Sequence, residues 1–380
     1  MTDIKHNVPT VMAFGTYNVR KHPRVGILID GLRRNGCRVE EINHPLELST
    51  AQRVEILKKP WKLFGFAWNL LGLWRSLSKE SKAWMSAHGR PSAVLVGYMG
   101  HFDVLLAKHI FKNVPIILDH LIFAGDTAKD RGAQGLKVKL LAKLDRMAIR
   151  AATLVLLDTD EHLRLMPDAE QHKGMVVPVG APREWFDAGN TRPSSEQRLG
   201  DVVFYGLYTP LQGAPVIAEA IVKLAERNIR PKFTLIGKGQ DYDQVRSIIN
   251  DLDNVTFIEW AEPEELPRMV ASHTIALGIF SSTPKGLRVV PNKVYQSMAA
   301  GCAVITSDTA PQRRMVADGA VFVEPGNSDA LADAIERLLS DVDALAQAQG
   351  NAVKVARKFT SSIITNDMTT WIKQISDRKR

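Results

Sequence analysis

Phe280-Ser-Ser-Thr-Pro-Lys-Gly-Leu-Arg-Val-Val-Pro-Asn-Lys-Val-Tyr-Gln-Ser-Met-Ala-Ala-Gly301 carries a strand into a helix, and the fold is read outward from it. Pro291 suits the first helical turn, where the N–H it lacks has no partner to lose, and Gly301 suits the far end. The spacing therefore predicts a helix that begins near Asn292. Free N–H groups at such an N-terminus attract anions. Lys293 places a cation in the same turn, which opposes the helix dipole unless an anion binds there. Lys285 and Arg288 precede it, with Gly286 between them allowing close backbone approach. Gln296 lies one turn on, where its amide suits a hydroxyl ligand. Together these residues outline a diphosphate site.

Around this segment, short apolar runs alternate with helical-period stretches. Strands are expected near Val8–Phe14, Arg38–Ile42, Ala93–Val96, Val114–Leu118, Thr153–Leu157 and Met175–Val179, and again near Asp201–Tyr205, Phe233–Ile236, Val255–Ile258, Ile275–Leu277, Ala303–Thr306 and Ala320–Val323. A polar, proline-containing passage, 181–199, divides the two series. The expected fold class is α/β: two doubly wound parallel-sheet, Rossmann-like domains facing across a cleft. The first domain is expected over 1–180 and the second over 200–355, with 181–199 as linker. A C-terminal helix over 356–380 is expected to pack back toward the front. Ligands of such sheets bind beyond the carboxyl ends of the strands. Gly15, Gly206 and Gly237 each follow a strand there and admit an anion close to the backbone. A dinucleotide reading of Gly237-Lys-Gly239 fails because Tyr242 stands where the third glycine belongs.

The chain has 380 residues, 45% hydrophobic and 24% charged, a soluble globular profile of about two domains. Cys37 and Cys302 are the only cysteines, which excludes a disulfide framework and a Cys-based zinc site. No secretory leader is recognised at the N-terminus, and no run reaches the roughly 18–20 apolar residues of a spanning helix. A cytoplasmic protein is expected. Residues 1–195 hold 28 Lys/Arg against 19 Asp/Glu, whereas residues 196–380 hold 21 against 22, so the whole positive excess lies in front. Lys58, Lys59, Lys62 and Arg75 surround Trp61, Phe64, Phe66, Trp68, Trp74 and Trp84. Residues 58–84 thus read either as an interfacial helix on the inner face of an anionic membrane or as a solvated amphipathic helix. Lys129–Arg150 is a second basic stretch. No nucleic-acid-binding motif accompanies the charge, and no nucleic-acid partner is expected.

Pro291-Asn-Lys-Val-Tyr-Gln-Ser-Met-Ala-Ala-Gly-Cys-Ala-Val-Ile-Thr306 resembles the nucleotide-sugar helix of the family 4 glycosyltransferases. Tyr205-Gly-Leu-Tyr-Thr-Pro-Leu-Gln-Gly213, Phe233-Thr-Leu-Ile-Gly-Lys-Gly239 and Val323-Glu-Pro-Gly-Asn-Ser-Asp-Ala-Leu-Ala-Asp-Ala-Ile335 match the order of turns in that family's donor domain. The resemblance covers roughly residues 201–340 and is thinner before them. It implies the two-lobed GT-B architecture, a nucleoside-diphosphate-sugar donor used as substrate, a hydroxyl acceptor, retention at the anomeric carbon and no cofactor. The departures are specific. The family's Glu-x7-Glu pair falls on Arg288 and Gln296, and its phosphate-binding Arg and Lys fall on Leu207 and Gln212. Lys285, Arg288 and Lys293 are expected to replace the missing cations. Three rival outcomes remain open: a sugar transferase, a nucleotide-sugar 2-epimerase of the same architecture, and a catalytically inactive nucleotide-binding or scaffold descendant.

In the front half the resemblance implies that His101, in Gly97-Tyr-Met-Gly-His101, contacts the donor sugar. Asp126, Asp130 and Arg131 form a charged loop suited to an acceptor hydroxyl, with helix capping and surface pairing as the plain alternative. Asp158-Thr-Asp160 spells a metal-chelating motif, but it follows a strand and precedes a helix. Asp158 and Asp160 are expected to cap that helix, and no metal is expected. The basic, tryptophan-rich front points to a lipid-linked or membrane-proximal glycan acceptor.

Overall fold

A computed structural model describes residues 8–20, 22–46, 62–194 and 197–378. The front domain runs β1 (Thr10–Gly15), α1 (Arg24–Arg34), β2 (Arg38–Asn43), α2 (Lys62–His88), β3 (Ala93–Val96), α3 (Asp103–Ile110), β4 (Ile116–Asp119), α4 (Ala124–Asp130), α5 (Leu136–Ala151), β5 (Leu154–Leu157), α6 (Asp160–Leu163), β6 (Gly174–Val176) and α7 (Arg183–Asn190). The rear domain runs β7 (Gly200–Tyr205), α8 (Ala214–Glu226), β8 (Phe233–Ile236), α9 (Tyr242–Ile249), β9 (Val255–Ile258), α10 (Leu266–Ala271), β10 (His273–Leu277), α11 (Asn292–Ala299), β11 (Ala303–Ser307), α12 (Ala310–Val316), β12 (Val321–Val323), α13 (Ser328–Ser340) and α14 (Val342–Ala356). Helices α15 (Ser361–Ile364) and α16 (Asn366–Asp377) end the described chain.

Each domain is built on one six-stranded sheet, ordered β2-β1-β3-β4-β5-β6 in front and β12-β11-β10-β7-β8-β9 behind, and every pairing is parallel. The strands are short, and the central ones are almost wholly apolar because helices cover both faces, whereas the edge strand β2 buries only Val39 and Ile42. Alternation along β1 shows this: Val11 and Ala13 join the core against α1, and Met12 and Phe14 join a separate core on the opposite face. That opposite core is closed by Leu77 of α2, Val104 and Ala107 of α3, and Ala148 and Ile149 of α5. The order reverses beside β1 in front and beside β7 behind, so each sheet has its switch point next to its first strand.

The passage 181–199 is more than a spacer. It contains α7, whose Trp185 is buried and stacks on Tyr205 at 5.5 Å between ring centroids. Helical periodicity in the short stretch Arg183–Asn190 is hidden by the prolines on either side. Helices α15 and α16 lie on α1 of the front domain: the Asn35 amide donates to the Ser362 carbonyl at 2.8 Å, and Lys373 donates to the Asn35 carbonyl at 3.0 Å. Tyr295 of the rear domain meets Phe359, just before α15, at 4.7 Å. One apolar core therefore continues from the front helices through α7 into the rear sheet.

Candidate active site

On the rear side, the turns after β7 and β8 stand against each other. Gly206 and Gly237 take φ of +139° and +119°, and a Cβ on Gly237 would run into the Gly206 carbonyl oxygen. Only glycine satisfies both the backbone angle and that approach. Helix α11 begins at Asn292 behind Pro291, and no side chain caps its N-terminus. Asn292 is exposed, and its side-chain oxygen accepts from the Lys293 N–H at 3.0 Å.

Lys293 is 3% exposed, and its ammonium reaches beneath the β7 turn, 3.1 Å from where a Cβ on Gly206 would stand. It lies 3.8 Å over the Phe204 ring and has no hydrogen-bond acceptor or carboxylate partner among the described residues. Burial holds its pKa well below the ordinary lysine value. Gln212 is beside the same turn, and its side-chain oxygen is buried without a donor. A buried, unpartnered ammonium costs several kcal/mol unless an anion pairs with it (about 3–5 for a broken buried ion pair). The glycine turn, the start of α11 and the Lys293 ammonium lie together at this end of the rear sheet.

Lys285 and Arg288 do not join Lys293. They cross the cleft to α4: Lys285 donates to the Thr127 hydroxyl at 2.8 Å, and Arg288 pairs with Asp126 at 2.7 Å. Burial lowers the Lys285 pKa, and Asp130 and Asp126 oppose that shift. The expected cluster of three phosphate cations is thus divided into one buried ammonium and two interdomain contacts. In the loop that carries both residues, Gly286 is packed against Ser281 and donates its N–H to the Thr283 hydroxyl at 3.2 Å. Gln296 departs as well: it is buried beneath α11, with its side-chain oxygen facing the Tyr205 hydroxyl at 3.4 Å.

In front, the Gly15 turn is filled by the protein's own carboxylate. Asp103 Oδ2 accepts from the Thr16 N–H at 2.7 Å and the Thr16 hydroxyl at 2.8 Å, and Oδ1 accepts from the Trp74 indole at 3.0 Å. A Cβ on Gly15 would stand 2.9 Å from that carboxylate. The turn binds an anion, but an internal one, so Gly15 is withdrawn from the donor site.

His101 is buried and donates to Asp145 at 2.9 Å. Asp145 also accepts from the Ala124 and Gly125 N–H groups, at 2.9 and 3.0 Å, and so caps α4 from α5. His120 is 2% exposed, its ring is 4.9 Å from His101 and 4.6 Å from Phe123, and neither nitrogen makes a hydrogen bond among the described residues, although Nε2 lies 3.8 Å from Asp145. Burial and the neighbouring His101 hold its pKa down to about 3, so it is neutral across the physiological range. The ligand atoms of His101, His120 and Asp145 lie within 4.8 Å of one another, a donor set compatible with a metal ion, although Asp145 already accepts three N–H bonds. Asp130 has one buried oxygen without a donor, and Arg131 is exposed.

The capping expectation for Asp158 and Asp160 is corrected. Thr159 caps α6, and its hydroxyl donates across the domains to the Arg288 carbonyl at 2.9 Å. Asp158 accepts from His162 at 2.5 Å, and Asp160 pairs with Arg314 at 2.8 Å. Sequence reasoning missed Asp145 and His162. The available signal was a carboxylate on the buried stripe of α5, among Val138, Ala148 and Ile149.

Residues 200–341 match the model of the family described as glycosyl transferases group 1. No curated protein sequence matches the chain. Among solved structures, the chain is similar to sucrose-phosphate synthase from Thermosynechococcus elongatus, at TM-score 0.67 and 15% identity, covering 98% of this chain and 100% of that one. It is similar to Anabaena HepE in complex with UDP, at TM-score 0.62 and 14% identity, covering 97% and 100%. It is also similar, more distantly, to UDP-GlcNAc 2-epimerase from Neisseria meningitidis bound to UDP-GlcNAc, at TM-score 0.54 and 13% identity, covering 96% and 100%. At such identities the shared property is the fold. The chain has the two-domain GT-B fold, and residues 200–341, in its rear domain, match the model of the glycosyl transferases group 1.

Proposed function

We propose that the protein is a glycosyltransferase that moves a sugar from a nucleoside-diphosphate donor to a hydroxyl on a lipid-linked or membrane-proximal glycan. The observation that carries this reading is Lys293, a buried ammonium with no partner, beneath a glycine turn and in the first turn of α11. Its charge and the N–H groups of α11 meet the negative charge that develops on the departing diphosphate. They supply what a bound cation supplies elsewhere, so the donor side works without a metal ion. Reaction with retention lets the leaving phosphate oxygen take the acceptor proton, and the mechanism then needs no protein base.

Asp126 and Asp130 of α4 face the cleft from the acceptor side and meet the loop that carries Lys285 and Arg288. His101 orients Asp145, which in turn holds the start of α4. Lys293→Met keeps the aliphatic stem and removes the charge. It is expected to abolish thermal stabilisation by UDP and GDP and to lower kcat/KM at least about tenfold. Wild-type nucleotide binding in that variant would remove Lys293 from the site. The 2-epimerase reading shares the fold, and product analysis separates the two: a transferase consumes donor sugar only when an acceptor is present.

A further inference from the structure

The two basic stretches, distant in sequence, lie in one layer. Helix α3 packs against both α2 and α5, and all three close the same core on one face of the front sheet. Their outer faces are unusual for a solvated surface. On α2, Trp68 is 74% exposed and Leu71 is exposed, and they lead into Arg75, Lys79 and Lys82 at helical spacing along one stripe. On α5, Leu136 and Leu140 are 72% and 59% exposed, and Lys139, Lys143 and Arg146 lie beside them. A groove of about 500 Å³ along α2 is lined by Leu71, Trp74, Arg75, Ser78, Lys79 and Lys82.

None of these six cations has an ion pair among the described residues, whereas surface arginines and lysines elsewhere, such as Arg33, Lys223, Arg227 and Arg313, do. The acids on the three helices are Glu80, which is paired with His44, and the buried Asp103 and Asp145. Unpaired cations around exposed apolar side chains fit a surface that offers fixed negative charge above hydrocarbon. We infer that the outer face of α2, α3 and α5 docks on an anionic phospholipid bilayer, with Trp68, Leu136 and Leu140 at the headgroup boundary and the lysines on lipid phosphates. This inference rests on the membrane-proximal acceptor proposed above and names the face that meets the membrane. Lys58, Lys59 and Trp61 lie outside the described residues, as do the side chains of Lys62, Phe64 and Phe66, and none of them is needed for it.

The test is co-sedimentation of the full chain with vesicles of phosphatidylglycerol mixed with phosphatidylcholine, against phosphatidylcholine alone. The wild type is expected to bind the anionic vesicles only. Combined Lys79→Glu, Lys82→Glu, Lys139→Glu and Lys143→Glu is expected to lower the partition coefficient by about 100-fold or more, with stabilisation by UDP retained. Trp68→Ser with Leu140→Ser is expected to remove the part of binding that survives high salt. Equal binding to both vesicle types, or wild-type binding by the fourfold variant, would overturn the proposal. So would retention on duplex DNA or heparin without vesicle binding, which would make the face a site for a soluble polyanion. UDP stabilisation reports separately on the donor site, so loss of nucleotide binding in the wild type contradicts the transferase reading and leaves the vesicle result standing.

Discussion

Lys293 marks how far residue-level reasoning reaches. Pro291 and Gly301 set the limits of α11, and this alone places Lys293 in its first turn. The direction of its side chain depended on Phe204 and Gly206, nearly 90 residues earlier in the chain, and no local pattern encodes that meeting. The same dependence on distant partners misdirected the reading of Lys285, Arg288 and Gln296, whose residue types suited a phosphate or ribose but whose partners are Thr127, Asp126 and Tyr205. His120 supplies a test at this scale. Its folded pKa is about 3 against an ordinary 6.5, so between those values the unfolded chain binds a proton that the folded chain refuses. Stability contributed by neutral His120 is complete above pH 6.5 and declines as the pH falls toward 3. His120→Asn is therefore expected to flatten the fall of Tm between about pH 6.5 and 4, and an unchanged slope would show that His120 is not the group responsible. Gly237→Ala is expected to abolish UDP stabilisation, because the new Cβ meets the Gly206 carbonyl at a positive φ.

At the scale of elements, most of the parallel strands were legible as short apolar runs bounded by turn residues, and the edge strand β2 by the apolar Val39 and Ile42 among its charged residues. Helix α7 was not, since its eight residues sit between prolines and its anchoring contact, Trp185 on Tyr205, is again long-range. Trp185→Ala is expected to destabilise the chain by about 3–5 kcal/mol, as for a large aromatic lost from a core, and chemical denaturation measures it. A loss under about 1 kcal/mol would return the passage to the status of a spacer. Helix α4 makes the complementary case. Its N-terminus is capped by Asp145 from α5, and its Asp126 holds Arg288 of the other domain. Asp126→Asn and Arg288→Gln are expected to be non-additive in a double-mutant cycle on kcat/KM, and additive effects would show that the pair is not a unit in the reaction.

Across the whole molecule, two sheets that each reverse order beside their first strand place their ligand-binding ends toward one cleft. The contacts that span it are polar: Arg288 with Asp126, Lys285 with Thr127, and Arg314 with Asp160 and Glu161. The apolar continuity through α7 and Phe359 fixes the domains on the side of the chain crossings. Exposed pairs contribute little to stability, so Arg314→Glu is expected to leave unfolding within about 1 kcal/mol of the wild type while increasing the radius of gyration in solution scattering. An unchanged radius would mean that these pairs do not hold the domains together. The most direct test of the central claim is a crystal structure with UDP or GDP bound. A diphosphate oxygen within hydrogen-bond distance of Lys293 Nζ, beside the Gly206 turn and the start of α11, is the predicted result. A nucleotide bound elsewhere, with the ammonium still resting on Phe204, would contradict it.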